Sequence, residues 1–302
     1  MRIIIGSRGS QLALWQANWV KSQLTARGCE VEIRIIKTSG DKLQDAPLAQ
    51  SGTKGIFIKE IEEALVEGTI DLAVHSLKDL PADLPAGLVV AAVPEREDVR
   101  DVLISKGGAR FAALPRGARV GTSSLRRQSQ LRKLRPDLEF LALRGNLDTR
   151  LKKLDRGDCA AIVLAAAGVH RLGFRDRITE YFTSDQICPA VGQGALALEI
   201  RAGDDRTLQA VQPLDHATSH RAVRAERAML RHLGGGCQVP IAAHAVAEND
   251  RLQLAGVVAD LEGTTVIRAS VSGPTSDPEG LGRKAAEDLL RQGAREILES
   301  IK

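Results

Sequence analysis

Short β-branched runs alternate with amphipathic stretches through the first two thirds of this chain, and that alternation restricts the fold more than any other feature. Arg2 to Gly6 reads as a strand, Leu12 to Arg27 as a helix and Val31 to Lys37 as a second strand. Ile56 to Glu67 follows as a helix and Asp71 to His75 as a short buried strand. A strand–helix–strand alternation predicts a mostly parallel sheet covered by helices on both faces. A second unit of the same kind starts near Asp101, with strands at Arg119–Gly121, Leu138–Leu143 and Ala160–Leu164 and helices at Leu125–Leu134 and Leu147–Arg156. Pro94 to Arg100 reads as one crossing between the units. The segment Pro-Ala-Val-Gly-Gln-Gly reads as the return crossing, with Gly192, Gln193 and Gly194 as a hinge, and leads into a strand from Ala195 to Ile200.

Two crossings between two α/β units describe two hinged lobes with a cleft. The last third changes character. A helix from Ser219 to Leu233 runs into three glycines and Cys237, and strands follow at Ile241–Val246, Leu252–Asp260 and Thr264–Val271. A single helix over Pro278–Ser300 closes a small α+β domain. The expected division is residues 1–95 with 195–213, residues 99–190, and residues 217–302. For 302 residues, two or three domains are the ordinary expectation.

Composition removes several functional classes. With 43% apolar and 26% charged residues the chain is globular rather than disordered. The net charge of +4 is modest and aromatics make up only 3%, which leaves few stacking platforms for nucleic acid. No apolar stretch reaches the length of a membrane span. The run at Ile3–Ile5 is too short for a signal peptide and meets Arg8 at once. Cys29, Cys159, Cys188 and Cys237 show neither metal-ligand spacing nor disulfide density, so no metal is implied and a reducing cytoplasm is expected.

Ligands of open α/β sheets bind at the carboxyl ends of strands, so the loops there carry the functional reading. The first strand ends in Ser7-Arg8-Gly9-Ser10, and Arg119-Val-Gly runs into Thr122-Ser123-Ser124-Leu125-Arg126-Arg127. Leu141-Ala-Leu-Arg144-Gly-Asn146 repeats the arrangement, with Arg150 shortly after. A hydroxyl at a helix start caps free amides that also attract anions, and guanidinium groups add a planar two-point grip. One such loop is ordinary capping beside a solvated charge. Their recurrence at successive strand ends predicts several anion sites.

The third strand ends in Val-His-Ser-Leu-Lys78-Asp79-Leu-Pro. A carboxylate among anion sites suits a ligand that carries or develops positive charge; the alternative is a surface Lys–Asp pair in a Pro-terminated turn. Cys237, on the run Gly234-Gly235-Gly236-Cys237-Gln238-Val239-Pro240, is either a nucleophile or an attachment point. A cysteine hydrolase would draw its base from His232 or His244. A non-catalytic anion-binding protein would have no use for Cys237.

These motifs resemble those of the hydroxymethylbilane synthase (porphobilinogen deaminase) family. Val-His-Ser-Leu-Lys-Asp-Leu-Pro, Gly-Thr-Ser-Ser-Leu-Arg-Arg-Gln, Leu-Arg-Gly-Asn, Pro-Ala-Val-Gly-Gln-Gly and Gly-Gly-Cys-Gln-Val-Pro stand in the family's order. Leu-Ala-Leu-Trp-Gln at 12–16 and Thr-Lys-Gly-Ile-Phe-Ile-Lys-Glu at 53–60 belong to the same set. The resemblance covers essentially the whole chain. It implies two periplasmic-binding-protein-like lobes and a third domain whose Cys237 holds a dipyrromethane cofactor through a thioether. It further implies Asp79 as the catalytic carboxylate. Arg8, Ser10, Lys54, Ser76, Lys78, Thr122, Ser124, Arg126, Arg127, Arg144, Arg150 and Arg171 are implied to bind the carboxylates of cofactor and substrate. Gln50 stands where some members carry a basic residue. The expected activity joins four porphobilinogen molecules head to tail with loss of ammonia, in a monomer without nucleic-acid or membrane partners.

Overall fold

A computed structural model describes residues 1–42, 58–234 and 239–301. The elements begin with β1 (Arg2–Ser7), α1 (Gln11–Thr25), β2 (Glu30–Ile35), α2 (Ser39–Lys42), α3 (Lys59–Val66), β3 (Leu72–Ser76) and β4 (Leu88–Ala92). Next come β5 (Asp101–Ser105), β6 (Arg119–Gly121), α4 (Leu125–Leu134), β7 (Glu139–Leu141), α5 (Leu147–Arg156), β8 (Ala161–Ala165), α6 (Ala166–Arg171) and β9 (Glu180–Tyr181). The chain continues through β10 (Leu196–Arg201), α7 (Asp205–Val211) and α8 (Ala217–His232). It ends with β11 (Ile241–Glu248), β12 (Arg251–Ala259), β13 (Val266–Pro274), α9 (Pro278–Arg291) and α10 (Ala294–Ser300).

Two compact units result: residues 1–97 with 195–220, and residues 98–194 with 221–302. The first holds a five-stranded sheet of order β2-β1-β3-β10-β4. Strands β1, β2 and β3 run parallel, and β10 is antiparallel to both β3 and β4. Ile3, Ile5, Leu72, Leu198 and Ile200 meet Ala17, Val20 and Leu24 of α1 in one buried cluster. On α1 these small and branched side chains recur at three- and four-residue intervals, so one stripe of the helix faces the sheet.

The second unit repeats the plan in β7-β6-β8-β5-β9. Here β6, β7 and β8 are parallel, and β5 is antiparallel to β8 and β9. In both sheets the antiparallel strand is the first strand after a change of unit: β10 follows Gly194 and β5 follows Asp98. The mostly parallel sheets read from the sequence are therefore mixed, each with a parallel trio and an inserted antiparallel strand. Strands β4, β5 and β9 did not register as strands in the sequence. They are two to five residues long.

The second unit also contains the antiparallel meander β11-β12-β13, with unbroken register from Ile241↔Val258 to Ala259↔Val266. Met229, Leu252, Leu254, Leu281, Leu289 and Leu298 form its core. The single closing helix expected over 278–300 is two helices, because Gly293 takes a left-handed φ of 99° between them. The turn between β12 and β13 lies against α4, where Arg132 Nη1 donates to Leu261 O at 2.7 Å. Gly263, at φ 72°, leaves no room for a Cβ against Ser129 O.

Gly263→Ala should therefore meet both a left-handed backbone penalty and a collision, and lower stability by about 2–4 kcal/mol. Gly107→Ala is the matched control, since its φ of 88° is similar and nothing lies within 4 Å. Denaturant midpoints should place the control loss near the backbone penalty alone, about 1–2 kcal/mol.

Candidate active site

Strands β1 and β3 are parallel neighbours, with Ile5 opposite Leu72 and Gly6 opposite Ala73, so their carboxyl ends lie side by side. The loops that leave them meet in one pocket. After β1 the chain turns through Arg8 and Gly9 to Ser10, which caps α1 by accepting the Ala13 N–H at 3.3 Å. After β3 a single 3-10 turn spans Leu77–Asp79. Leu77 and Leu80 are buried on either side of it, and the Leu77 N–H donates to Ala195 O at 3.0 Å. With both flanking leucines anchored, Asp79 is left exposed and Lys78 half-exposed. Arg8, Ser10, Ser76 and Asp79 line the pocket, over a floor that includes Ala13, Ile61 and Val74. Gln16, buried on α1, donates from Nε2 to Ser76 Oγ at 2.7 Å and fixes that hydroxyl. Lys78 flanks Asp79 in sequence but is not part of the lining. Lys54, Gln50 and Cys237 lie outside the described residues.

Behind the wall of this pocket sits a group that sequence reasoning missed. His75 Nε2 lies 3.0 Å from Glu199 Oε2, and both side chains are buried. Burial, with the like charge of Glu199 adding and His75 opposing, pushes the Glu62 carboxyl up to about 7. A visible signal existed: Glu199 interrupts an otherwise apolar run, Ala195 to Ile200.

In the second unit the strand-end loops take a form the sequence did not suggest. Arg126 and Arg127, read as a two-point grip for ligand carboxylates, are each only 5% exposed and grip Asp101. Arg126 Nη1 donates to Asp101 Oδ2 at 2.7 Å and to Cys188 O at 2.6 Å. Arg127 donates to Asp101 Oδ1 from Nε at 2.9 Å and Nη2 at 2.7 Å, and to Val163 O from Nη1 at 3.1 Å. Burial works to raise the Asp101 carboxyl, but the two guanidinium groups outweigh it and hold it well below the usual carboxylate range. The physical reason for the change of partner is β5: it brings Asp101 under the first turn of α4, and a fully buried carboxylate requires cations.

Thr122 is buried, and its hydroxyl accepts the Ser124 N–H at 3.3 Å. Ser124 stands at the N-cap of α4 and makes no side-chain cap bond there. Arg144 is half-buried, with its carbonyl accepting from Lys153 Nζ at 3.1 Å. Arg150 Nε donates to Gly145 O at 2.8 Å, and Arg171 Nη2 to Gly194 O at 2.7 Å. At the expected hinge, Gly192 and Gly194 have φ of 70° and 86°, values that favour glycine. Between them Gln193 is buried, and its Nε2 donates to Val99 O at 2.6 Å and Asp101 Oδ1 at 3.0 Å. The Gly192 N–H donates to buried Glu226 at 2.7 Å. Cys159 and Cys188 are buried; desolvation pushes the Cys188 thiol up to about 12, consistent with an inert side chain. No helix among the described residues is long and apolar enough to cross a membrane.

An exposed carboxylate, a guanidinium and two fixed hydroxyls meet in one pocket at the strand ends of an α/β sheet, an arrangement chemically able to hold a polar small molecule and exchange protons with it. Comparison with known families is specific. Residues 3–209 match "Porphobilinogen deaminase, dipyromethane cofactor binding domain" and residues 220–291 match "Porphobilinogen deaminase, C-terminal domain". The chain belongs to the porphobilinogen deaminase family. It is 54% identical over 302 aligned positions to a porphobilinogen deaminase of Geobacter sulfurreducens, covering 99% of this chain and 95% of that one. It is 53% identical over 299 positions to one of Syntrophotalea carbinolica, covering 98% and 95%. Among solved structures, a YaeC-family lipoprotein of Enterococcus faecalis aligns with 13% identity and a TM-score of 0.43, over 70% of this chain and 90% of that one.

Asp101→Asn should leave two buried guanidinium groups without a counter-charge and lower stability by about 3–5 kcal/mol. Because the native carboxyl titrates below its ordinary value, its contribution is present above about pH 4 and lost as pH falls further. Urea unfolding of both proteins at neutral pH and near pH 3 should show the gap between them narrowing in acid.

Proposed function

We propose that the chain catalyses the stepwise head-to-tail condensation of four porphobilinogen molecules with loss of ammonia, on a covalently bound dipyrromethane primer, and then releases linear hydroxymethylbilane by hydrolysis. This is a transferase reaction of tetrapyrrole and heme biosynthesis. The observation that carries it is Asp79, exposed in a pocket with Arg8, Ser10 and Ser76. That donor set fits a pyrrole bearing carboxylates: an acceptor for ring N–H groups, beside a guanidinium and hydroxyls for the acid side chains. When bound through a thioether to Cys237, the dipyrromethane supplies a free pyrrole α-carbon as nucleophile.

The residues of the chain do the remaining work. Asp79 gives a proton to the departing amine, so that ammonia leaves and the substrate ring carries the positive charge. Its carboxylate then faces that charge and stabilises it, and finally accepts the proton released when the new carbon–carbon bond forms. Ser76, fixed by Gln16, and Ser10, fixed by the amides of α1, are preorganised donors whose reorganisation is already complete. Arg8, Lys54, Lys78, Thr122, Ser124, Arg144, Arg150 and Arg171 serve the carboxylates, which increase by two with every ring added. Arg126 and Arg127 support that array through Asp101, since their donors are directed to it. The proposed working form is a cytoplasmic monomer of three domains (1–95 with 195–213, 99–190 and 217–302), with Gly192, Gln193 and Gly194 as the hinge.

Asp79→Asn removes the charge and the proton while keeping the shape. Turnover on porphobilinogen should fall at least about 100-fold, with thermal unfolding unchanged. Near-normal turnover would reassign the pocket. Intact mass of the purified protein should exceed the sequence mass by two condensed pyrroles, resist reductants because a thioether does not exchange with thiols, and map to the peptide containing Cys237. Cys237→Ser should lose that mass and the activity together.

A further inference from the structure

The first unit buries a second set of titratable groups that the reaction above leaves unused. Glu199 sits in β10 wholly out of solvent, and its Oε2 meets His75 Nε2 at 3.0 Å. In the antiparallel register Glu199 lies opposite Ala73 and Ala197 opposite His75, so the His75 and Glu199 side chains share one face of the sheet. Helix α3 packs on β1, β3, β10 and β4, and it brings Glu62, only 9% exposed, to the same group. One oxygen of each carboxylate, Oε1 of Glu62 and Oε1 of Glu199, is buried with no hydrogen-bond partner among the described residues.

β4 carries no ionisable side chain, and Arg2, the charged residue of β1, pairs with Glu32. Arg201 of β10 turns to the Leu65 and Ile70 carbonyls and to Asp204. On α3 itself, Lys59 pairs with Glu63, and Glu60 accepts from Ser39. Among the described residues, the charges that act on Glu62 are those of Glu199 and His75. Two buried carboxylates in one cluster, each with an oxygen that has no hydrogen-bond partner among the described residues, are strongly disfavoured. A proton on Glu62 converts an orphan acceptor into a donor and removes one of two like charges. His75 also lines the Asp79 pocket, so its ring joins the buried carboxylates to the substrate side.

We propose that Glu62 is a positioning residue that sets the charge of the pocket wall facing Asp79, acting through His75. With the proton on Glu62, His75 and Glu199 form a self-contained pair. Loss of the proton adds one negative charge behind the ring. Resting on the activity proposed above, this has opposite effects on the two stages of turnover. The carboxylates of the substrate stay ionised at neutral pH, so the added charge weakens their binding, while a cationic transition state is favoured by it. Because burial raises the Glu62 carboxyl to about 7, the change falls near neutral pH. The native state holds an extra proton between the ordinary value and this one. The stability contribution is therefore complete below about pH 4.5 and lost as pH rises through about 7.

The test uses the holoenzyme with its primer bound. Across about pH 5.5 to 8.5, KM for porphobilinogen should rise about three- to tenfold while kcat does not fall. Glu62→Gln should hold KM near its low-pH value throughout, and Glu62→Asp should restore the slope. Without substrate, the His75 ring resonances should shift in a step near pH 7 that Glu62→Gln abolishes. A Glu62→Gln profile parallel to the unaltered enzyme, or a ring step that survives the substitution, would overturn the proposal. Failure of the holoenzyme to consume porphobilinogen would instead overturn the activity, and the ring resonances would still decide the role of Glu62.

Discussion

Asp101 begins β5 with no exposure to solvent, and much of the second unit is arranged around its charge. Two guanidinium groups from the first turn of α4 bind it, and one of them also holds the Cys188 carbonyl while the other holds Val163 of β8. Gln193 adds a third donor and, through Val99, joins both chain crossings to the same carboxylate. Removing a charge of this kind from water is unfavourable unless every lone pair is met. The network therefore specifies the register of β5, the seat of α4 and the course of the crossings at once.

The first unit solves a different problem with the same sheet plan. Parallel neighbours β1 and β3 present their carboxyl ends together, and each leads into a short turn secured by apolar residues or a helix cap. The Asp79 backbone is held by the buried Leu77 and Leu80. The carboxylate is thereby left exposed while its backbone is fixed, an arrangement that the proposed acid–base role requires.

Several strands and helices stand at or near the bounds that the sequence pattern gives them. Helices α4 and α5 begin and end where their patterns do. The meander strands agree within a few residues, and Gly293 divides a helix that apolar spacing alone would continue. That Asp79, Arg8, Ser10 and Ser76 come together in one pocket was legible, because a parallel sheet predicts where its strand ends go and local motifs occupy them. Arg126 and Arg127 were legible as anion binders, and the carboxylate they meet among the described residues is Asp101.

What the sequence determined by itself is the class of fold, the family and the place of the polar strand-end loops, since period, turn residues and motif order are all local along the chain. What only the tertiary structure decided is which charges meet. Asp101 with Arg126 is separated by 25 residues and His75 with Glu199 by 124, and both pairs are buried. No local pattern encodes such pairings. They arise when strands distant in sequence become neighbours in a sheet, and the low polarizability of the interior then makes each buried charge choose a partner.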